Sequence, residues 1–343
     1  MSTRAGQSPF SWALDVRLRS IAIVGISKNA GKTTLLNHLL KLRQNGIWGV
    51  FSTGIDGEEQ DSVFKTPKPA VKLEEGIIFC CDTQTLERHG SGVSILEKLP
   101  DYSAKRQLWL AKSLVELQTE ITGPASVKDQ ISVLHRMLGW GAEKVLIDGS
   151  LDRKSIALSD TVDAVAAVVG ASFGSTGAII GEVRRLRILN DLPVPAKPEP
   201  MAAELLASQN IHIFKEDAWQ ETGISSMFGN EKDLKKLLEA KVGAIYIPGA
   251  ITDSVYAALR ASFAESGTRV LLRHPECLKL GLSRLERFVE ENRPEVLIPF
   301  RIRAWAINSN AVGSHAIDAA DFRAKLRQAF PDLELPDLME LRQ

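Results

Sequence analysis

At 343 residues, with Lys+Arg and Asp+Glu both at 42, the chain carries no formal net charge. It has room for about two domains, or for one large α/β domain with an extension. The balanced charge argues against broad electrostatic binding of nucleic acid, and no apolar run is long enough to cross a membrane. Adjacent Cys80 and Cys81 and distant Cys277 fit neither a disulfide framework nor a zinc pattern. Met1 to Trp12 lacks the apolar core of a secretory signal, so a reduced, cytoplasmic setting is expected.

The first predicted element is a strand over Ile21–Val24, followed by a helix over Lys32–Leu42. Between them runs Gly25-Ile26-Ser27-Lys28-Asn29-Ala30-Gly31-Lys32-Thr33-Thr34. Strand, glycine loop, Gly-Lys-Thr and helix is the order that a phosphate-binding loop requires. Glycines let backbone N–H groups turn inward onto a polyphosphate, and the helix adds its positive N-terminal end. Gly25, Ser27, Lys28, Asn29, Ala30, Gly31, Lys32, Thr33 and Thr34 are the candidate nucleotide-binding residues. Lys32 would reach the β- and γ-phosphates, and the Thr33 hydroxyl would ligate Mg²⁺. Five residues separate the two glycines where the usual pattern has four, and Ile26 stands at the usual first glycine position.

Trp48–Ser52 reads as a second strand leading into the polar loop Gly54–Asp61 and then Thr66-Pro67-Lys68-Pro69, where prolines forbid helix or central strand. Asp56 has two readings of equal weight: a carboxylate that orders water around Mg²⁺ near the γ-phosphate, or one charge of a solvated acidic loop. Gly76–Cys81 and Leu117–Ile121 are the next strand candidates, and Ser126–Leu138 has helical spacing with Ser126 as N-cap. Val145–Gly149 is an apolar strand ending in Asp148, the expected companion of a phosphate loop because that carboxylate holds the Mg²⁺ shell. Lys32, Asp56 and Asp148 are therefore the candidate catalytic residues, and Thr33, Asp56 and Asp148 the candidate metal-site residues. Val162–Val169 is another buried strand, followed by Gly170–Gly177, a glycine loop that could approach the nucleotide but is read first as a plain strand-to-helix turn, and a helix over Ala178–Leu189.

Leu192–Pro200 holds four prolines and is the predicted boundary or crossover, giving a nucleotide-binding domain over 1–192 and an α/β region over 193–343, with one sheet continuous through both left open. Beyond it strands are expected at Ile211–Phe214, Ala244–Ile247, Val270–Leu272, Val296–Ile298 and Trp305–Asn308. Helices are expected at Lys232–Ala240, Thr252–Ser266, Ser283–Glu291 and Ala319–Phe330. The rhythm predicts an α/β fold: a mostly parallel sheet with flanking helices, like that of P-loop NTPases, and a C-terminal α/β extension. Asp148 is followed by Gly149-Ser150-Leu151 and so does not open the Asp-x-x-Gly of regulatory GTPases. Phe214-Lys215-Glu216-Asp217 keeps Lys-x-Asp but lacks the leading Asn or Thr, so ATP is favoured, with GTP left open. The six histidines show no metal-ligand spacing.

The stretch Gly25–Thr34 resembles the phosphate loops of dethiobiotin synthetase and MinD/ParA-type ATPases. Dethiobiotin synthetase shares the five-residue spacing, whereas the extra lysine of MinD/ParA would align with Ser27 and Lys28 is one position late. The chain is also similar to the accessory reactivase subunit of lysine 5,6-aminomutase, the KamB family. That resemblance rests on Ser27–Thr34, on Asp56-Gly57-Glu58 with Thr66–Pro69, on Ile147–Lys154, on Pro248–Asp253 and, more loosely, on Asn308–Phe322. It implies a P-loop ATPase that opens an adenosylcobalamin-dependent aminomutase so that intact cobalamin replaces damaged cofactor. The mutase and a companion ATPase subunit are the implied partners, and an oligomer is compatible. Two other readings of the same loop stand beside it: a small-molecule ligase or kinase like dethiobiotin synthetase, and a nucleotide-gated interaction protein.

Overall fold

Short buried strands alternate with helices from the first strand onward. A computed structural model describes residues 8–53, 70–102, 106–149, 156–240, 242–310 and 317–342. In chain order the elements are β1 (Ser20–Gly25), α1 (Lys32–Leu40), β2 (Trp48–Ser52), β3 (Val71–Leu73), β4 (Ile78–Asp82), α2 (Thr83–His89), β5 (Val93–Lys98), β6 (Leu108–Ser113) and β7 (Leu117–Thr119). Next come α3 (Val127–Gly139), β8 (Lys144–Asp148), β9 (Ala164–Gly170), α4 (Thr176–Asn190), α5 (Ala202–Ala207), β10 (His212–Lys215), β11 (Ala218–Glu221), α6 (Glu231–Glu239) and β12 (Ala244–Ile247). The last are β13 (Ile251–Thr252), α7 (Asp253–Ser266), β14 (Arg269–Leu272), β15 (Leu278–Lys279), α8 (Leu282–Asn292), β16 (Glu295–Val296), β17 (Ile302–Asn308) and α9 (Ala319–Ala329).

The chain divides into two units, 1–180 with 301–343, and 181–300. The first is built on an eight-stranded mixed sheet in the order β17-β9-β1-β8-β2-β4-β6-β5. Neighbours from β17 to β4 pair in parallel, whereas β6 pairs antiparallel with both β4 and β5. β1 and β9 are buried over almost their whole length, as strands covered on both faces must be, and accordingly read as unbroken apolar runs. On one face, Ile21 and Ile23 of β1, Leu146 of β8, Val50 of β2 and Ala164, Ala166 and Val168 of β9 share a cluster with Leu35, Leu36, Leu39 and Leu40 of α1. Each such leucine contributes about 1.5–3 kcal/mol on burial, and the small β9 alanines suit close packing of the helix. At the other end of β1, Asp163 Oδ2 accepts the N–H groups of Arg19 and Ser20 at 2.8 and 2.9 Å, which fixes the β1–β9 register.

α3 buries Gln130, Val133, Leu134 and Met137, the one-face spacing of an amphipathic helix. Its N-cap is Ser126, as expected, whose Oγ accepts the Asp129 N–H at 3.1 Å.

The second unit carries a five-stranded sheet in the order β11-β10-β12-β14-β16. β12, β14 and β16 are parallel, linked through α7 and α8, and β10 and β11 form an antiparallel hairpin at one edge. Thr252 caps α7, accepting the Val255 N–H at 3.4 Å. Glu216 and Asp217, both with positive φ, make the two-residue turn of that hairpin, so the Lys-x-Asp there is turn chemistry.

The expected division at 192/193 requires correction. β17 pairs with β9 over Ile302–Asn308 and belongs to the first sheet, so the C-terminal region is split between the two units. The prolines of 193–200 lie inside the second unit. Leu117–Thr119 pairs with β3 in a separate two-stranded sheet, so that expected strand is not part of the main one. Among the described residues no helix is long and apolar enough to cross a membrane. All three cysteines are free and buried.

Candidate functional site

β1 lies between β8 and β9, but the chain reaches β2 through α1 before returning to β8. From β1 the chain departs to one side of the sheet, to β2, and from the neighbouring β9 to the other, to β17, and the carboxyl ends of the strands at such a switch point are where open α/β sheets bind ligands. The loop Gly25–Gly31 sits at this end.

Its shape follows from its small residues. A Cβ on Gly25 would lie 2.9 Å from Ala30 Cβ and 3.2 Å from Lys32 Cγ, so the loop folds back on its own start and brings the Lys32 stem over it. Asn29 takes the left-handed conformation at φ 58°, and Gly31, the N-cap of α1, does so at φ 102°. Glycine provides no capping side chain, and the first turn of α1 holds no acidic residue, so the positive helix end is left for an anion. The first helical hydrogen bond, Leu35 N–H to Gly31 O, is 3.1 Å.

Two more distant residues brace the loop. A Cβ on Gly170, the last residue of β9, would fall 2.5 Å from Ala30 Cα. A Cβ on Gly31 would fall 2.6 Å from Asn308 Nδ2, and Asn308 and Gly170 are register partners at the ends of β17 and β9. Ile26 N–H also donates to Val168 O at 3.1 Å.

Asp148 ends β8 beside the loop. It is the register partner of Ile23 in β1 and of Ser52 in β2, and its carbonyl accepts the Thr53 N–H at 2.8 Å. The fold therefore gathers Gly25 through Thr34 and Asp148 at one end of the sheet. Lys28 and Asn29 are exposed at the loop tip, Ala30 is fully buried, and Lys32, Thr33 and Thr34 are half-buried in the first turn of α1. Asp56, Arg153 and Lys154 lie outside the described residues. Gly170 and Asn308 were not among the sequence candidates. The Gly170–Gly177 loop reads first as a plain turn and second as one that could approach the nucleotide, and Asn308 appears only as the polar end of an apolar strand and the start of the loosest resemblance block.

Ser27 Oγ tests the fit of a polyphosphate: it is buried and makes no hydrogen bond among the described residues. A buried hydroxyl left so costs about 1–3 kcal/mol, and a phosphate oxygen is an acceptor that would remove that cost. Lys32 likewise makes no ion pair among the described residues. For Mg²⁺ the Thr33 hydroxyl and Asp148 carboxylate are the hard oxygen donors it prefers. No cluster of three or more His, Cys, Asp or Glu side chains suited to a metal occurs among the described residues. His38 in α1 is structural: its Nε2 is 3.1 Å from Ser8 Oγ and its ring packs edge-on to Phe10. No family model, curated protein or solved structure matches the chain.

Proposed function

We propose that this chain binds a Mg²⁺–nucleoside triphosphate on the loop 25–34, within a P-loop NTPase fold, and hydrolyses it. The observation that carries the reading is the uncapped, acid-free N-terminus of α1, entered through a glycine loop and flanked by Asp148 on the adjoining strand. In this reading the backbone N–H groups of Ser27–Thr33 and the Ser27 hydroxyl donate to phosphate oxygens, and the Lys32 ammonium balances the β/γ charge. Thr33 and Asp148 hold the metal, with Asp56 as a further candidate. Mg²⁺ would supply neutralisation of the charge that develops between the β- and γ-phosphates. The favoured nucleotide is ATP, because neither the Asp-x-x-Gly nor the guanine-reading Asn/Thr-Lys-x-Asp of the common GTPases occurs in the sequence.

The cellular role we propose is that of an ATP-driven reactivase for an adenosylcobalamin-dependent aminomutase, working in the cytoplasm with a companion ATPase subunit. Its support is the resemblance of five sequence blocks to the KamB family. Nucleotide state and mutase binding must then be reciprocally coupled. The test supplies the protein, any companion subunit, Mg-ATP and fresh adenosylcobalamin to an inactivated lysine 5,6-aminomutase. Recovery of turnover that Lys32→Ala fails to give is the expected result. ATP consumption matched by a modified metabolite, with no effect on the mutase, would instead establish the ligase or kinase reading.

A further inference from the structure

The outer edge of β17 is covered by the C-terminal segment. Ile307 N–H donates to Pro336 O and Leu338 N–H donates to Ile307 O, each at 2.9 Å, which sets Asp337 beside Ser309. Leu338 is buried in the same cluster as α1, so the segment is anchored in the core of its unit.

Asp337 is 1% exposed and is one of few carboxylates so deeply buried among the described residues. Its Oδ1 accepts the N–H groups of Ser309 at 3.3 Å and Met339 at 3.0 Å. Its Oδ2 pairs at 3.0 Å with Nη1 of Arg323 from α9, which is also 3.3 Å from Ser309 Oγ. Arg323 Nε in turn meets Glu340 at 3.3 Å. Burial pushes the Asp337 carboxyl up, but the hydrogen bonds from Ser309, Met339 and Arg323 outweigh it and hold the group below the ordinary carboxylate range. Burying such a pair is weak evidence for stability, since apolar packing could do as well, and its better attested use is to fix one arrangement of the chain.

What it fixes here is the residue after Asn308. Asn308 Oδ1 accepts the Asn310 N–H at 3.2 Å, and its Nδ2 side lies against Gly31. The contacts run without a gap from Arg323 and Asp337 through Ser309 and Asn308 to the N-cap of α1.

We infer that Asp337 is a positioning residue for nucleotide: through Ser309 and Asn308 it holds the seat of Ala30–Gly31, so that tight binding requires the C-terminal segment docked on β17. This rests on the proposed nucleotide site, but its structural half can be read without nucleotide. With the full chain, Asp337→Asn should weaken binding of a fluorescent ATP analogue with Mg²⁺ by roughly tenfold. It should also speed hydrogen exchange over 25–36 in the nucleotide-free protein while β4 and β6 keep their protection. Arg323→Gln, which leaves the carboxylate in place, should do the same, and Arg323→Lys should restore part of the loss. In an Asn308→Ala background Asp337→Asn should add little, because its route to the loop has been cut. Affinity within twofold of wild type, a loss additive with Asn308→Ala, or exchange that rises uniformly through the unit would overturn the inference. A wild-type chain that binds no better than Lys32→Ala would sink the nucleotide site itself, and the exchange data would still decide the positioning.

Discussion

Gly170→Ala isolates the contact between the end of β9 and the loop, because Gly170 has φ −93° and ψ 140°, a conformation open to alanine. No backbone strain enters, only the new methyl group. That carbon would stand 2.5 Å from Ala30 Cα and 3.0 Å from Ala30 O, whereas ordinary contact begins near 3.4 Å. Ala30 has to retreat by about 1 Å, yet it is fully buried, and its neighbour Gly31 already abuts Asn308. Overpacking of this kind costs about 1–3 kcal/mol. If the fold absorbs it, melting should fall by roughly 3–10 °C for a unit of this size. If the loop absorbs it, the donors move off the phosphates, and loss of one hydrogen bond to a charged group, about 1.5–3 kcal/mol, would weaken Mg-ATP roughly ten- to hundredfold. Calorimetric melting and isothermal titration with Mg-ATP read the two outcomes. Gly181→Ala in α4, where the new methyl would meet nothing within 4 Å, is the control and should be neutral or mildly stabilising. If Gly170→Ala matches that control in both assays, the β9 seat of the loop is wrong.

Lys32→Ala removes the cation facing the phosphates. Since a hydrogen bond to a charged group is worth about 1.5–3 kcal/mol, titration with Mg-ATP should show a loss of roughly ten- to hundredfold with melting unchanged. Asp148→Asn should cut single-turnover hydrolysis by about a hundredfold and affinity far less; equal losses in both would remove Asp148 from the chemistry. Burial, with Lys41 nearby, holds the His38 imidazole below its usual value of 6.5. The unfolded chain then binds more protons in that window, so stability tied to His38 is full above pH 6.5 and is lost as pH falls through the folded value. His38→Gln should flatten that part of the melting-versus-pH curve, and an unchanged slope between pH 5 and 7 would assign it to other groups, His89 among them.

Elements whose signal is local were legible. β2 and β12 match the expected bounds at both ends, and Ser126 and Thr252 cap the helices where capping chemistry puts them. α2, the edge strand β5 and its neighbour β6 were not read. α2 spans only Thr83–His89, β5 has a single buried residue, and β6 breaks its alternation at the adjacent buried pair Leu110 and Ala111, so neither a 3.6 nor a 2.0 period has room to emerge. The loop and Asp148 stood out because the proposed binding of phosphate and Mg²⁺ would restrict residue types within a few positions. Their supports did not, since Gly170 and Asn308 reach Ala30 and Gly31 only through the order of strands in the sheet.

The misplaced boundary has the same cause. Proline marks where a helix or strand must stop, which is a local fact, whereas a domain ends where one core gives way to another. The chain leaves the first unit just after β9 and re-enters it directly into β17, and those two strands are neighbours in the sheet. For the first sheet, everything from 181 to 300 is therefore one connection between adjacent parallel strands, whatever fold that connection contains. Such an insertion leaves both ends of the β9–β17 pair in place. It also explains how a residue as late as Asn308 belongs to a site announced by Gly25–Thr34: sheet order, not chain distance, sets which side chains meet the loop.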